Sequence, residues 1–101
     1  MKLLTKELIN KIPKLYEQDS KGLGALAYIK FFTPWSGWTR YATEFDGEDI
    51  FFGLVDGFEK ELGYFSLSEL ESIKGPLGLK IERDLYFEPV TLSKLTNGDT
   101  R

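Results

Sequence analysis

Residues 25 to 65 constrain the fold more than any other part of this chain. Short runs of apolar and aromatic residues are separated there by Pro, Gly and Asp-Gly, the pattern of strands joined by tight turns. Residues 25 to 33 read as a first strand. Ala25, Ala27, Ile29 and Phe31 share one face; Leu26, Tyr28, Lys30 and Phe32 share the other. The first face is the more apolar and is the expected core side. Thr33-Pro34-Trp35-Ser36-Gly37 is a turn. Residues 38 to 45 form a second strand, with Trp38 expected in the core. Asp46-Gly47 is a hairpin signal, because glycine after aspartate tolerates the positive φ of a tight turn. Residues 50 to 55 are a third strand, ended by Asp56-Gly57 on the same logic, and residues 61 to 65 a shorter fourth.

Helices flank this run. Thr5 is a good N-cap and Pro13 a stop, which places a helix over about residues 5 to 12. Ser66 and Ser68 each precede a glutamate by three residues (Glu69, Glu71), the capping-box spacing. A helix is therefore expected over about residues 67 to 74, with Leu67, Leu70 and Ile73 inward and Gly75-Pro76 beyond it. Residues 81 to 87 read as extended, and 91 to 95 as a short terminal helix. The expected fold is α+β: an antiparallel β-meander of four or five strands with short helices packed on one face. One domain over residues 1–101 is expected, with residues 97–101 a frayed tail.

Composition excludes much chemistry. The chain has no cysteine and no histidine. Disulfides, thiolate nucleophiles, His-based triads and the usual zinc sites are therefore ruled out. No Walker-type loop, dinucleotide fingerprint or nucleophile elbow is present, and no cofactor or metal is expected. No apolar run is long enough to span a bilayer. Met1-Lys2-Leu3-Leu4-Thr5-Lys6 lacks the apolar core of a signal peptide, so a cytoplasmic location is expected.

The net charge of −3 is unevenly spread. Residues 1 to 43 carry seven basic and three acidic side chains, residues 44 to 71 one basic and nine acidic. An acidic middle disfavours direct nucleic-acid binding and suits a basic partner. Glu44, Asp46, Glu48, Asp49, Asp56, Glu59 and Glu61 fall at expected strand ends and turns, where a meander brings several to one edge or end of the sheet. They form a candidate partner-binding surface, or else a solvated rim that keeps the protein soluble. The turn Glu44, Asp46, Glu48, Asp49 resembles a metal site in residue type only. Its glycine comes too early for a calcium loop and no glutamate closes it, so turn formation suffices as its cause. Trp35, in a loop, is a candidate interface anchor. Tyr28, Phe32, Tyr41 and Phe65 are better read as packed strand residues than as a base-stacking platform. Arg83-Asp84, near Glu82 and Glu88, reads as a surface ion pair.

Strings along nearly the whole chain resemble a known family. They are Tyr41-Ala42-Thr43-Glu44-Phe45-Asp46-Gly47-Glu48-Asp49, Phe51-Phe52-Gly53-Leu54-Val55, Glu61-Leu62-Gly63-Tyr64-Phe65-Ser66-Leu67-Ser68-Glu69-Leu70 and Gly75-Pro76-Leu77-Gly78-Leu79, with Ile81-Glu82-Arg83-Asp84-Leu85-Tyr86-Phe87-Glu88-Pro89. The family is one of small bacterial proteins of unknown function, commonly carried by plasmids and other mobile elements. The resemblance brings no catalytic residues. It implies a setting in which small acidic proteins inhibit host defences such as restriction or CRISPR systems. Three functions are carried forward. The first is a non-enzymatic protein-binding module that meets a basic host protein through the acidic surface. The second is a carboxylate- and metal-dependent hydrolase using Asp46, Asp49 and Asp84. The third is a structural accessory subunit, monomer or homodimer.

Overall fold

A computed structural model describes residues 2–97. Besides two 3-10 segments, Asp19–Gly24 and Pro76–Gly78, ten short α-helices and strands follow one another among the described residues: α1 (Lys6–Lys11), β1 (Leu26–Ala27), β2 (Ile29–Phe32), β3 (Thr39–Phe45), β4 (Ile50–Asp56), β5 (Lys60–Ser66), α2 (Leu67–Ser72), β6 (Glu82–Arg83), β7 (Val90–Thr91) and α3 (Leu92–Thr96). The fraying expected of the tail lies, beyond Asn97, outside the described residues.

The four longer strands form the expected antiparallel meander. β6 returns to pair beside β2, giving the order β5–β4–β3–β2–β6. The local chemistry that builds it is the chemistry legible in the sequence. Gly47 takes a positive φ of 91° in the β3–β4 turn. Asp46 Oδ1 accepts from the amides of Glu48, Asp49 and Ile50 at 2.8, 2.8 and 3.0 Å, closing that turn. Thr5, Ser66 and Thr91 cap the three helices by accepting from Leu8, Glu69 and Lys94 amides. Ile12, extended before Pro13, ends α1.

Gly57 departs from the expected turn logic. Its φ is not positive; instead, a Cβ placed there would lie 2.5 Å from the Trp38 ring. Glycine is required by close packing, not by the turn.

The sheet carries a core on each face. On the first face, Ile29, Phe31, Ala42, Phe45, Phe51 and Phe65 lie under Leu3, Ile12, Leu70 and Ile81, with α1 and α2 outside them. Phe51 is its centre, with ring centroids 4.5, 5.3 and 5.4 Å from Phe45, Phe65 and Phe31. On the second face, Tyr41 and Leu54 are covered by Ala25, Ala27, Val90, Leu92 and Leu95. The expectation of helices on one face thus holds for α1 and α2, while α3 and the two-stranded β1–β7 ribbon take the other.

The break between β1 and β2 makes this second core possible. Residues 25 to 33 are not one strand. The chain bends at Tyr28, so Ala25 and Ala27 cross over the second face while Ile29 and Phe31 stay on the first. All four are buried, as their alternation predicts, but in two different cores.

Candidate protein-binding surface

The structure does not gather the seven acidic residues into one surface. Glu44 is 4% exposed. Its carboxylate accepts from the backbone amide of Tyr16 at 2.9 Å and of Gln18 at 2.8 Å. A register shift between Ala42 and Glu44 puts it there. One extra residue, Thr43, switches the parity of β3, so Phe45 falls on the first core and Glu44 turns to the second face. Glu44 is therefore a fold residue, not part of an exposed patch.

The other six lie at opposite ends of the sheet. Asp46, Glu48 and Asp49 sit at the β3–β4 turn; Asp56, Glu59 and Glu61 sit at the β4–β5 turn. The seven residues of β4 separate them, a distance of about 20 Å at the rise of a strand. The first group is engaged in folding. Asp46 accepts three amides, and the bonds from Asp49 and Glu48 hold its carboxyl below the ordinary value of 3.8. Asp49 accepts from the Ser68 amide and hydroxyl at 2.8 and 2.9 Å, tying the turn to the start of α2. Ser68 is thus a tie to the hairpin, while Ser66 supplies the cap.

The second group surrounds aromatic residues. Phe58, at the tip of the β4–β5 turn, is 95% exposed. Its ring stands edge-on to Trp38 with centroids 5.4 Å apart. The Arg40 guanidinium lies 5.8 Å from the centroid of the Trp38 ring. Burial lowers the Arg40 pKa, partly opposed by Glu69 on α2. Trp38, Val55, Phe58, Glu59 and Glu61 line one open depression. Trp38 is half-buried in this cluster, not in the core where it was expected as a residue of the second strand. Phe58 is absent from the sequence-derived candidates; the available signal was a lone aromatic inside a Gly/Glu turn.

Trp35 belongs to the same end of the sheet but packs inward. It is half-buried against the first core, and a Cβ on Gly75 would lie 2.5 Å from its ring. The Gly75 segment covers it.

A second concave feature lies beside β5 on the second face. Tyr16, Leu23, Phe52, Leu62 and Tyr64 rim a cleft of about 280 Å³ floored by Gln18, Thr43 and Glu44. Tyr16 adopts a positive φ of 73°. Acceptance of its amide by Glu44 holds that strained conformation. Its side chain reaches Tyr64, and the hydrogen bond between them raises the Tyr64 pKa.

Of the carboxylates of the hydrolase reading, Asp46 and Asp49 share the β3–β4 turn but Asp84 does not join them. Asp84 follows β6 at the far edge of the sheet, paired with Lys30 at 3.7 Å rather than with Arg83. Among the described residues, no three carboxylates are grouped to hold a metal ion. Tyr41 and Phe65 lie in opposite cores, so the four strand aromatics form no common platform.

A family model matches residues 3–97. The chain belongs to DUF2958, a family described as a protein of unknown function. No curated protein and no solved structure matches it. Among the described residues of this DUF2958 member, no helix is long and apolar enough to cross a membrane.

Proposed function

We propose that this DUF2958 protein is a non-enzymatic protein-binding module whose contact surface is the β4–β5 end of the sheet. The observation that carries the proposal is Phe58, 95% exposed yet seated edge-on to Trp38. An aromatic anchor in water, backed by a second ring and rimmed by Glu59 and Glu61, has the composition of an interface hot spot. The glycine at position 57 supports the reading, because it is what allows the two rings to approach.

The acidic rim selects a basic partner. A host defence enzyme that handles nucleic acid, of the restriction or CRISPR type, presents such a surface, and the mobile-element setting implied by the sequence resemblance fits it. The partner is to be recovered from host lysate, identified by mass spectrometry and titrated by calorimetry. Phe58→Ala should weaken its binding by about 2 kcal/mol or more, roughly 30-fold, with an unchanged melting temperature. Unchanged affinity in that variant would refute the anchor.

A further inference from the structure

The outer edge of β5 is a second feature of this end of the chain's sheet. β5 ends the strand order, so among the described residues one side of its backbone has no neighbouring strand. The ladder identifies which groups face outward. The Leu67 amide donates to the Asp49 carbonyl at 2.8 Å, in line with the β4–β5 register that pairs Phe51 with Phe65 and Gly53 with Gly63. Hydrogen-bonded pairs alternate along an antiparallel ladder. Phe65, Gly63 and Glu61 therefore turn their amides and carbonyls toward β4, while Leu62 and Tyr64 turn theirs outward.

Natural sheets block such edges with charge, proline, bulges or very short strands. The opposite edge, β6, is two residues long. β5 is seven residues long and pairs regularly with β4 throughout. Its charges, Lys60 and Glu61, are confined to one end. The outward-facing residues Leu62 and Tyr64 are 48% and 57% exposed and border the Tyr16–Leu23 cleft. Gly63 adds a further sign. It has no positive φ, and a Cβ there would meet nothing within 4 Å. Among the described residues nothing packs against that position, which leaves it open to another backbone.

We propose that β5 accepts an extended strand from the partner protein, added antiparallel as the sixth strand of the sheet. The proposal rests on the protein-binding reading above and specifies its partner. Side chains of the added strand alternate between the two faces. On the second face they meet Leu62, Tyr64 and the cleft, and are apolar. On the first face they meet Glu61, near Glu59, and are basic. The recognised segment is thus an alternating apolar–basic strand.

The test uses a synthetic alternating Val–Lys heptapeptide and amide hydrogen exchange of the full chain read by NMR. The peptide should slow exchange at Leu62 and Tyr64 by at least about tenfold. N-methylation of its valines removes the donors that face β5 and should abolish the effect; N-methylation of its lysines should not. A Val–Glu peptide should give less slowing. Equal slowing by the N-methyl-valine peptide, or no slowing by the parent, overturns the proposal. So does protection that needs no peptide and grows with protein concentration, since a second copy would then occupy the edge. Phe58→Ala should keep the peptide effect even where it loses the host partner. The anchor and the added strand can therefore fail separately.

Discussion

Glu44→Ala should lower the free energy of unfolding by about 3 kcal/mol, although the change deletes a charge from the most acidic part of the chain. The reason is local. The carboxylate is the acceptor for the Tyr16 and Gln18 amides. Alanine leaves both donors without it; the Gln18 amide is buried and the Tyr16 amide partly so, and an unsatisfied buried group costs about 1–3 kcal/mol. The loss spreads, because Gln18 is itself buried and holds β1 to β3. Its side chain donates to the Leu26 and Thr43 carbonyls at 2.9 and 2.8 Å and accepts from the Leu26 amide at 2.8 Å. Glu44→Gln is the informative companion. It keeps the volume and one acceptor oxygen but presents an NH₂ group where the second amide needs an acceptor, so it should fall between alanine and wild type. Chemical denaturation of the three proteins checks the order. A Glu44→Ala protein as stable as wild type would return Glu44 to the surface.

Phe51→Ala should cost about 4 kcal/mol. Phe51 is fully buried, and three phenylalanine rings pack against it. Those rings come from β2, β3 and β5, so the cavity opens where four strands meet, and collapse around it is limited. Phe52→Ala is the control. Its neighbour in sequence faces the cleft, half-buried, with one ring partner, Tyr64 at 5.0 Å. Its loss should cost less than half as much. Paired denaturant titrations read both values, and similar costs would mean the faces of β4 are misassigned.

These two positions also show what the sequence could reveal. Phe51 sits in a strand that follows the Asp46-Gly47 turn, and that strand was legible from the turn chemistry in front of it. The Ser66 cap and the Pro13 stop were legible for the same reason: each depends on residues within four positions. The role of Glu44 was not. It follows from the bulge at Thr43, which shifts parity by one residue and leaves no local mark. The bend at Tyr28 is of the same kind. It is set by pairing of Leu26 and Ala27 with Thr91 and Val90, more than sixty residues away. The acidic surface failed as a single patch because charge alone does not distinguish a carboxylate accepting amides from one facing a partner. Phe58 was overlooked because a hydrophobic residue is expected inside, and only its place at the turn tip puts it in water.

The exposed acids fall at a folding end and at the proposed binding end of the sheet, and two charge reversals test this division directly. In one series, melting temperature and affinity for the identified host partner are measured for Asp49→Lys and for Glu59→Lys combined with Glu61→Lys. Asp49→Lys removes the acceptor for Ser68 and should lower the melting temperature while leaving affinity unchanged. The Glu59/Glu61 reversal should leave the melting temperature in place and abolish binding. Partner binding that survives reversal of Glu59 and Glu61 but is lost with Asp49→Lys would contradict the account.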